Sequence, residues 1–265
     1  EMTKLIVRAI YNRFINCTSI SYLTFIQNLI QKNFEWNKID LLSNQMINMF
    51  YYDLYQESGV KLGFKSYEDA FQNIQKETIF LQELSDVLKI RLDQINIQER
   101  EMSDFSITAL KLHARYSRDQ ILSAFGIHNF EKKSSNREGV VDAKDKNLEL
   151  LFVTLQKNSK RFSPTTLYHD YAVSPILFHW QTQNSARPEK GKGLSYIEQL
   201  KNDKKFIRFV REKSEDTLGR SLGFINLGYV KYISHTGSQP MNIIWQLTKE
   251  IPSSLWQDAA KLAVG

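Results

Sequence analysis

The residues best equipped for chemistry lie in one stretch, Ser163 to Asn184, which gathers Tyr168, His169, Asp170, Tyr171, Phe178, His179, Trp180, Gln181 and Gln183. Flat π faces beside a carboxylate and primary amides are what reading an extruded nucleobase requires: stacking partners, plus acceptors and donors for the Watson–Crick edge. Tyr168, Tyr171 and Trp180 are the stacking candidates. Asp170 suits an exocyclic amine such as cytosine N4, and Gln181 or Gln183 supplies a matched donor and acceptor. On a strand, Phe178, Trp180 and Thr182 share one face, while His179, Gln181 and Gln183 share the other. One face can then be core while the other meets a ligand. The same pattern also suits aromatic residues buried in a sheet, with the His and Gln solvated.

Other chemistries are weaker. His169, Asp170 and Ser174 have the residue types of a hydrolytic triad, but no nucleophile elbow is present and adjacent strand residues point to opposite faces. The five histidines, at 113, 128, 169, 179 and 235, lack the i,i+4 pairing of helical metal sites, and no Cys/His cluster has zinc spacing. The expectation is therefore no catalytic residue, no metal and no cofactor in this chain. One cysteine, Cys17, excludes a disulfide framework and fits a reducing cytoplasm.

Basic residues form three groups: Lys157, Lys160 and Arg161; Arg187, Lys190 and Lys192; and Lys204, Lys205, Arg208 and Arg211. The second group lies beside Gly191 and Gly193, where backbone can approach phosphates. Residues 1–144 hold 18 basic and 18 acidic side chains, so the whole net charge of +6 falls in residues 145–265. Such asymmetry suits a polyanion partner for the second half; it also suits a solvated charged surface.

The elements that would position these residues differ between the halves. The first half repeats apolar residues at helical spacing: around Leu5–Phe14, over Tyr22–Ile30, Leu41–Tyr55 and Tyr67–Leu92, and in a short unit at Leu110–Gly126. Ser117 with Gln120 has the capping-box spacing, and Gly126 is placed to stop that helix. With only Gly59, Gly63 and Gly126 and no Pro before residue 139, this half reads as a helical bundle. The polar stretch 131–146 reads as a linker. Beyond it, strands are expected at Leu148–Leu155, Ala172–Thr182, Phe206–Glu212, Gly228–His235 and Asn242–Leu247, with helices at Ser195–Leu200 and Ser253–Leu262. No α/β alternation, P-loop or dinucleotide-binding glycine pattern occurs. No apolar window is long enough to span a membrane. The opening Glu-Met-Thr-Lys carries neither an initiator Met nor a signal-peptide pattern, which suggests a piece of a longer protein.

Longer motifs carry a resemblance: Tyr116-Ser-Arg-Asp-Gln-Ile-Leu-Ser-Ala-Phe-Gly126, Leu151-Phe-Val-Thr-Leu-Gln-Lys157, Phe162-Ser-Pro-Thr-Thr-Leu-Tyr-His-Asp-Tyr-Ala-Val-Ser174, Leu177-Phe-His-Trp-Gln-Thr-Gln-Asn184, Phe209-Val-Arg-Glu212, Leu227-Gly-Tyr-Val-Lys-Tyr-Ile-Ser-His-Thr-Gly-Ser-Gln-Pro-Met241 and Ile244-Trp-Gln-Leu247. Over roughly residues 110–250 the chain resembles the C-terminal region of SauUSI-like, modification-dependent type IV restriction enzymes. These join a phospholipase-D-type nuclease to a superfamily-two helicase. The resemblance implies ATP-dependent cutting of DNA that contains 5-methylcytosine or 5-hydroxymethylcytosine. The nuclease and helicase motifs are absent from this sequence, so the piece would be the target reader and not itself an enzyme. Its partners would be double-stranded methylated DNA and the helicase and nuclease domains of the parent chain.

The expected architecture is α+β. A helical coupler at 1–105 precedes a β-rich, partly closed barrel at 106–265, SRA- or PUA-like by analogy alone. The expected base pocket is Tyr168, Asp170, Tyr171, Phe178, Trp180 and Gln181. Expected backbone contacts are Lys157, Lys160, Arg161, Arg187, Lys190, Lys192, Lys204 and Lys205. The alternative is a docking module of a helicase-nuclease without base readout.

Overall fold

Ser19 starts the first helix described in full: its hydroxyl accepts from the Tyr22 amide at 3.3 Å, and Ile20–Gln31 (α1) follows with Tyr22, Leu23, Ile26 and Leu29 buried. Asp40 does the same for Leu41–Tyr55 (α2), accepting from the Ser43 amide at 2.9 Å. These oxygens satisfy amides that have no partner inside the helix. After the single turn Gly59–Leu62 (α3), the stretch expected as one helix is two, Tyr67–Gln75 (α4) and Thr78–Gln94 (α5). Ala70 and Phe71 are the buried positions of α4, Leu84 and Leu88 those of α5. The first helix closes at Lys76 and Glu77, whose amides donate to the carbonyls of Asn73 and Ile74 at 3.3 and 3.0 Å, the three-residue spacing that tightens a last turn. Arg118–Ala124 (α6) carries the expected capping box: the Ser117 amide donates to Gln120 Oε1 at 2.8 Å, and the Gln120 amide donates to Ser117 Oγ at 3.1 Å. Gly126 follows at φ +72°, the left-handed stop that glycine supplies.

The computed structural model describes residues 10–102, 108–156, 170–253, 255 and 256. It divides the chain into two units, Glu1–Asn136 and Arg137–Gly265. The division falls inside the polar stretch expected as a linker. Residues 108–136, expected with the second domain, belong to the helical unit instead. Asn48 Nδ2 of α2 donates to the carbonyls of Ser123 and His128 at 2.8 and 2.6 Å, and Gln120 Nε2 donates to the buried Asp53 at 2.8 Å. These buried polar bonds tie α6 to α2.

The second unit holds strands Val140–Ala143 (β1), Leu148–Gln156 (β2), Tyr171–Ser174 (β3), Leu177–Gln181 (β4), Lys205–Lys213 (β5), Phe224–Thr236 (β6) and Asn242–Leu247 (β7), with helix Gly191–Ile197 (α7) between β4 and β5. Their hydrogen-bonded order is β1-β2-β5-β6-β7-β4-β3. The β2–β5 pair is parallel and the others are antiparallel. The chain is thus α+β, helices first and a mixed sheet second. The path ends at β1 and β3 without joining them, so the sheet is open and not the partly closed barrel expected. The strand expected over Ala172–Thr182 is a hairpin, because Pro175 has no amide to donate to a ladder. Strand β1 lay hidden in the supposed linker, where only Val140, Val141 and Ala143 are apolar among polar and charged neighbours. The helix expected at Ser195–Leu200 starts earlier, at Gly191. Most of the helix expected at Ser253–Leu262 lies outside the described residues.

One face of this sheet makes a core. Phe178, Trp180, Phe206, Val210, Ile243 and Trp245 pack there with Tyr196 of α7. Among the described residues, no helix is long and apolar enough to cross a membrane.

Candidate base-recognition site

Strand β4 is the divide on which the expected pocket separates. Its alternation sends Phe178 and Trp180 inward and Leu177, His179 and Gln181 outward. On the outward side, Tyr171 of β3 is the register partner of His179. Their rings stack at 4.6 Å between centroids with 12° between planes. Beside them Gln181 Nε2 donates to Asn242 Oδ1 at 3.3 Å. Lys231 of β6, exposed, stands opposite Gln246 of β7 in the next pairing outward. The outward face therefore displays two stacked rings, three amides and a cation.

On the inward side, Asp170 immediately precedes β3, buried, and its Oδ1 accepts from the Gln181 amide at 3.0 Å. Phe178 and Trp180 are core residues, not an open stacking platform: Trp180 packs edge-on against Tyr196 at 5.5 Å and tilted against Trp245 at 6.2 Å. The expected single pocket is thus two arrangements on opposite sides of one hairpin. Asp170, Phe178 and Trp180 face inward; Tyr171 and Gln181 face outward. Tyr168 lies outside the described residues.

The inward side holds a group that sequence reasoning had assigned to a surface cluster. Arg208 of β5 is 0% exposed. Its guanidinium lies over the Phe178 ring at 4.6 Å and the Trp180 ring at 5.6 Å. None of its three nitrogens has a hydrogen-bond partner among the described residues, and the Trp245 indole nitrogen in the same core is unpaired among them as well. Burial brings the Arg208 pKa down to about 9, against which the Asp170 charge acts. The guanidinium therefore stays cationic at neutral pH. A signal for this was present. Phe206-Ile-Arg-Phe-Val210 is a lone charge in an apolar run, the mark of a strand buried on both faces, where arginine is almost never fully buried without a partner.

The expected phosphate contacts fare unevenly. Lys157, Lys160 and Arg161 lie outside the described residues. Lys190 and Lys192 are exposed at the start of α7. Arg187 donates to the Gln239 amide oxygen from Nε and Nη2 at 3.0 and 3.1 Å, so it ties two loops together. Lys204 is paired at 2.5 Å with Glu149, whose side chain is 1% exposed, and is thereby corrected from a free cation to half of an internal pair. Lys205, half-buried, opens β5 with its amide on the Asn147 carbonyl at 3.0 Å. No cluster of three or more His, Cys, Asp or Glu that could hold a metal ion occurs among the described residues.

Residues 110–259 match the model of a family described as a domain of unknown function, DUF3427. No curated protein matches the chain.

Proposed function

The chain belongs to the DUF3427 family, and we propose that its second unit reads a modified cytosine in duplex DNA for an ATP-dependent restriction enzyme. The helicase and nuclease would be supplied by the same parent protein in the cytoplasm, and this piece would perform no catalysis. The observation that carries the reading is the outward Tyr171–His179 stack with the Gln181 and Asn242 amides beside it. Sheet faces that bind unpaired nucleotides do so with flat side chains for stacking, since every base has a π face, and with amides for the edges. The excess positive charge of residues 145–265 supports the same partner, as does the resemblance of its motifs to modification-dependent restriction enzymes.

One observation favours docking onto a protein instead: Val173 and Ile233 are 48% and 49% exposed on this unit, and apolar surface of this kind often marks protein contacts. A gel shift with one duplex, carrying 5-methylcytosine or plain cytosine at a single position, separates the two. The reader predicts a shift that favours the modified duplex, with Tyr171→Ala plus His179→Ala weakening it about tenfold or more, since stacking contributes ~1–3 kcal/mol per base. A wild-type chain that shifts neither duplex leaves the docking module.

A further inference from the structure

A buried, ionised side chain with no hydrogen-bond partner among the described residues demands an explanation. The desolvation of an unpaired charge costs several kcal/mol, and unmatched buried donors cost a further ~1–3 kcal/mol each. Arg208 bears that cost in the centre of the second unit's core. Its neighbours restrict what could relieve it. Phe178 and Trp180 lie against the guanidinium plane, so hydrogen bonds can form only at its rim, where Arg presents paired N–H donors in fixed geometry. Such a fork suits two adjacent acceptors. Those could be the oxygens of an anion or the acceptors along a nucleobase edge.

Asp170 decides between these. The register partners Tyr171 and His179 place Asp170 across from Trp180, whose ring lies under the guanidinium. Asp170 takes one amide from Gln181, and a carboxylate has capacity for several donors. A negative charge at that position repels a phosphate or carboxylate. It favours a neutral ligand that carries a donor next to its acceptors. The cytosine edge has that order: the N4 amine donates, and N3 and O2 accept.

Resting on the reading of this unit as a modified-cytosine reader, we propose that Arg208 is the specificity residue of the base site. Its rim donates to N3 and O2 of the extruded cytosine while Asp170 accepts from N4. The site lies beside β3, the end strand of the sheet path, so a base would approach past the sheet edge. The ring stack on the outward face would hold the neighbouring nucleotide.

The test uses the whole chain, wild type, Arg208→Met and Asp170→Asn. It measures fluorescence anisotropy on duplexes with 5-methylcytosine, cytosine or thymine at one position, and melting temperature in buffer and in inorganic phosphate. Replacing a buried ion by an apolar side chain of similar volume is often neutral or stabilising. The expected result is therefore that Arg208→Met melts at or above wild type yet loses about tenfold or more of the preference for 5-methylcytosine over thymine, which carry the same methyl group and differ on this edge, the size of one bidentate base contact. Asp170→Asn is expected to lose preference in the same direction. A folded Arg208→Met that keeps the preference overturns the role of Arg208 and leaves the reader standing. A wild type that binds all three duplexes alike overturns the reader and this inference together. A lower melting temperature for Arg208→Met marks a structural guanidinium and overturns the inference. So does phosphate that stabilises wild type but not Arg208→Met, because the site would then be an anion site.

Discussion

Asp53 in the helical unit and Arg208 in the sheet unit are both fully buried charged residues, and their surroundings differ sharply. Asp53 Oδ2 accepts from the Tyr22 hydroxyl at 2.7 Å and from Gln120 Nε2 at 2.8 Å, and Arg13 donates to the Asp53 main-chain carbonyl. Burial raises the Asp53 pKa to about 6, so a proton can discharge it within reach of neutral pH. Arg208 has no acceptor among the described residues and, at about 9, keeps its charge. The first is a buried polar junction that joins α1, α2 and α6 and can be neutralised from within. Asp53 Oδ1 has no hydrogen-bond partner among the described residues, but its other oxygen has two; at Arg208 all three nitrogens lack one, and only the Asp170 charge acts on the guanidinium. A buried charge whose hydrogen bonds the fold largely makes is architecture, whereas one with none of its donors met points to a ligand.

The comparison breaks most severely if the apolar bed of Arg208 is removed. Trp180→Ala is expected to cost about 3–5 kcal/mol, the range for deleting a buried large aromatic side chain, measured by denaturant unfolding of the second unit's signal. A loss below ~1 kcal/mol would mean that Trp180 is a displaceable platform and not core.

Asp53 sharpens the other side. Its folded pKa lies above the value of about 4 for an unperturbed carboxyl, so the fold favours the protonated form. That contribution is fully present below about pH 4 and is lost as pH rises through about 6. Asp53→Asn is expected to raise stability at about pH 7.5 by up to about 3 kcal/mol, and to change it little at about pH 4. The check is the difference between variant and wild type across that range. A variant less stable than wild type at the upper end would show that the ionised carboxylate is needed, and the contrast with Arg208 would narrow.

The smallest effect is expected at the surface. Lys190→Ala with Lys192→Ala should weaken binding to modified and plain duplexes alike, with a salt slope reduced by about 1 for each phosphate no longer neutralised. An unchanged slope in a salt titration removes that loop from the DNA interface and leaves recognition to the sheet.

Much of the architecture was legible because local signals agreed with tertiary packing. The capping box at Ser117 and Gln120 and the stop at Gly126 stand where their chemistry placed them. The break between α4 and α5 was harder to see, since no Gly or Pro stands between Gln75 and Thr78 to mark it. The site was half legible. Alternation correctly separated Phe178 and Trp180 from His179 and Gln181, yet the expected pocket took members from both faces. Lys204 and Arg208 looked like surface cations because sequence reports charge but not burial. Only the structure places Lys204 against Glu149 and Arg208 in the core.

The most direct measurement follows the base itself. A duplex with the fluorescent base 2-aminopurine beside a single 5-methylcytosine brightens when the neighbouring cytosine leaves the stack. The account predicts a strong rise on binding the wild-type chain, and little rise with Arg208→Met at protein concentrations that saturate the duplex. Saturated wild-type binding with no change in fluorescence would contradict it, because the modified cytosine would then be bound without being extruded.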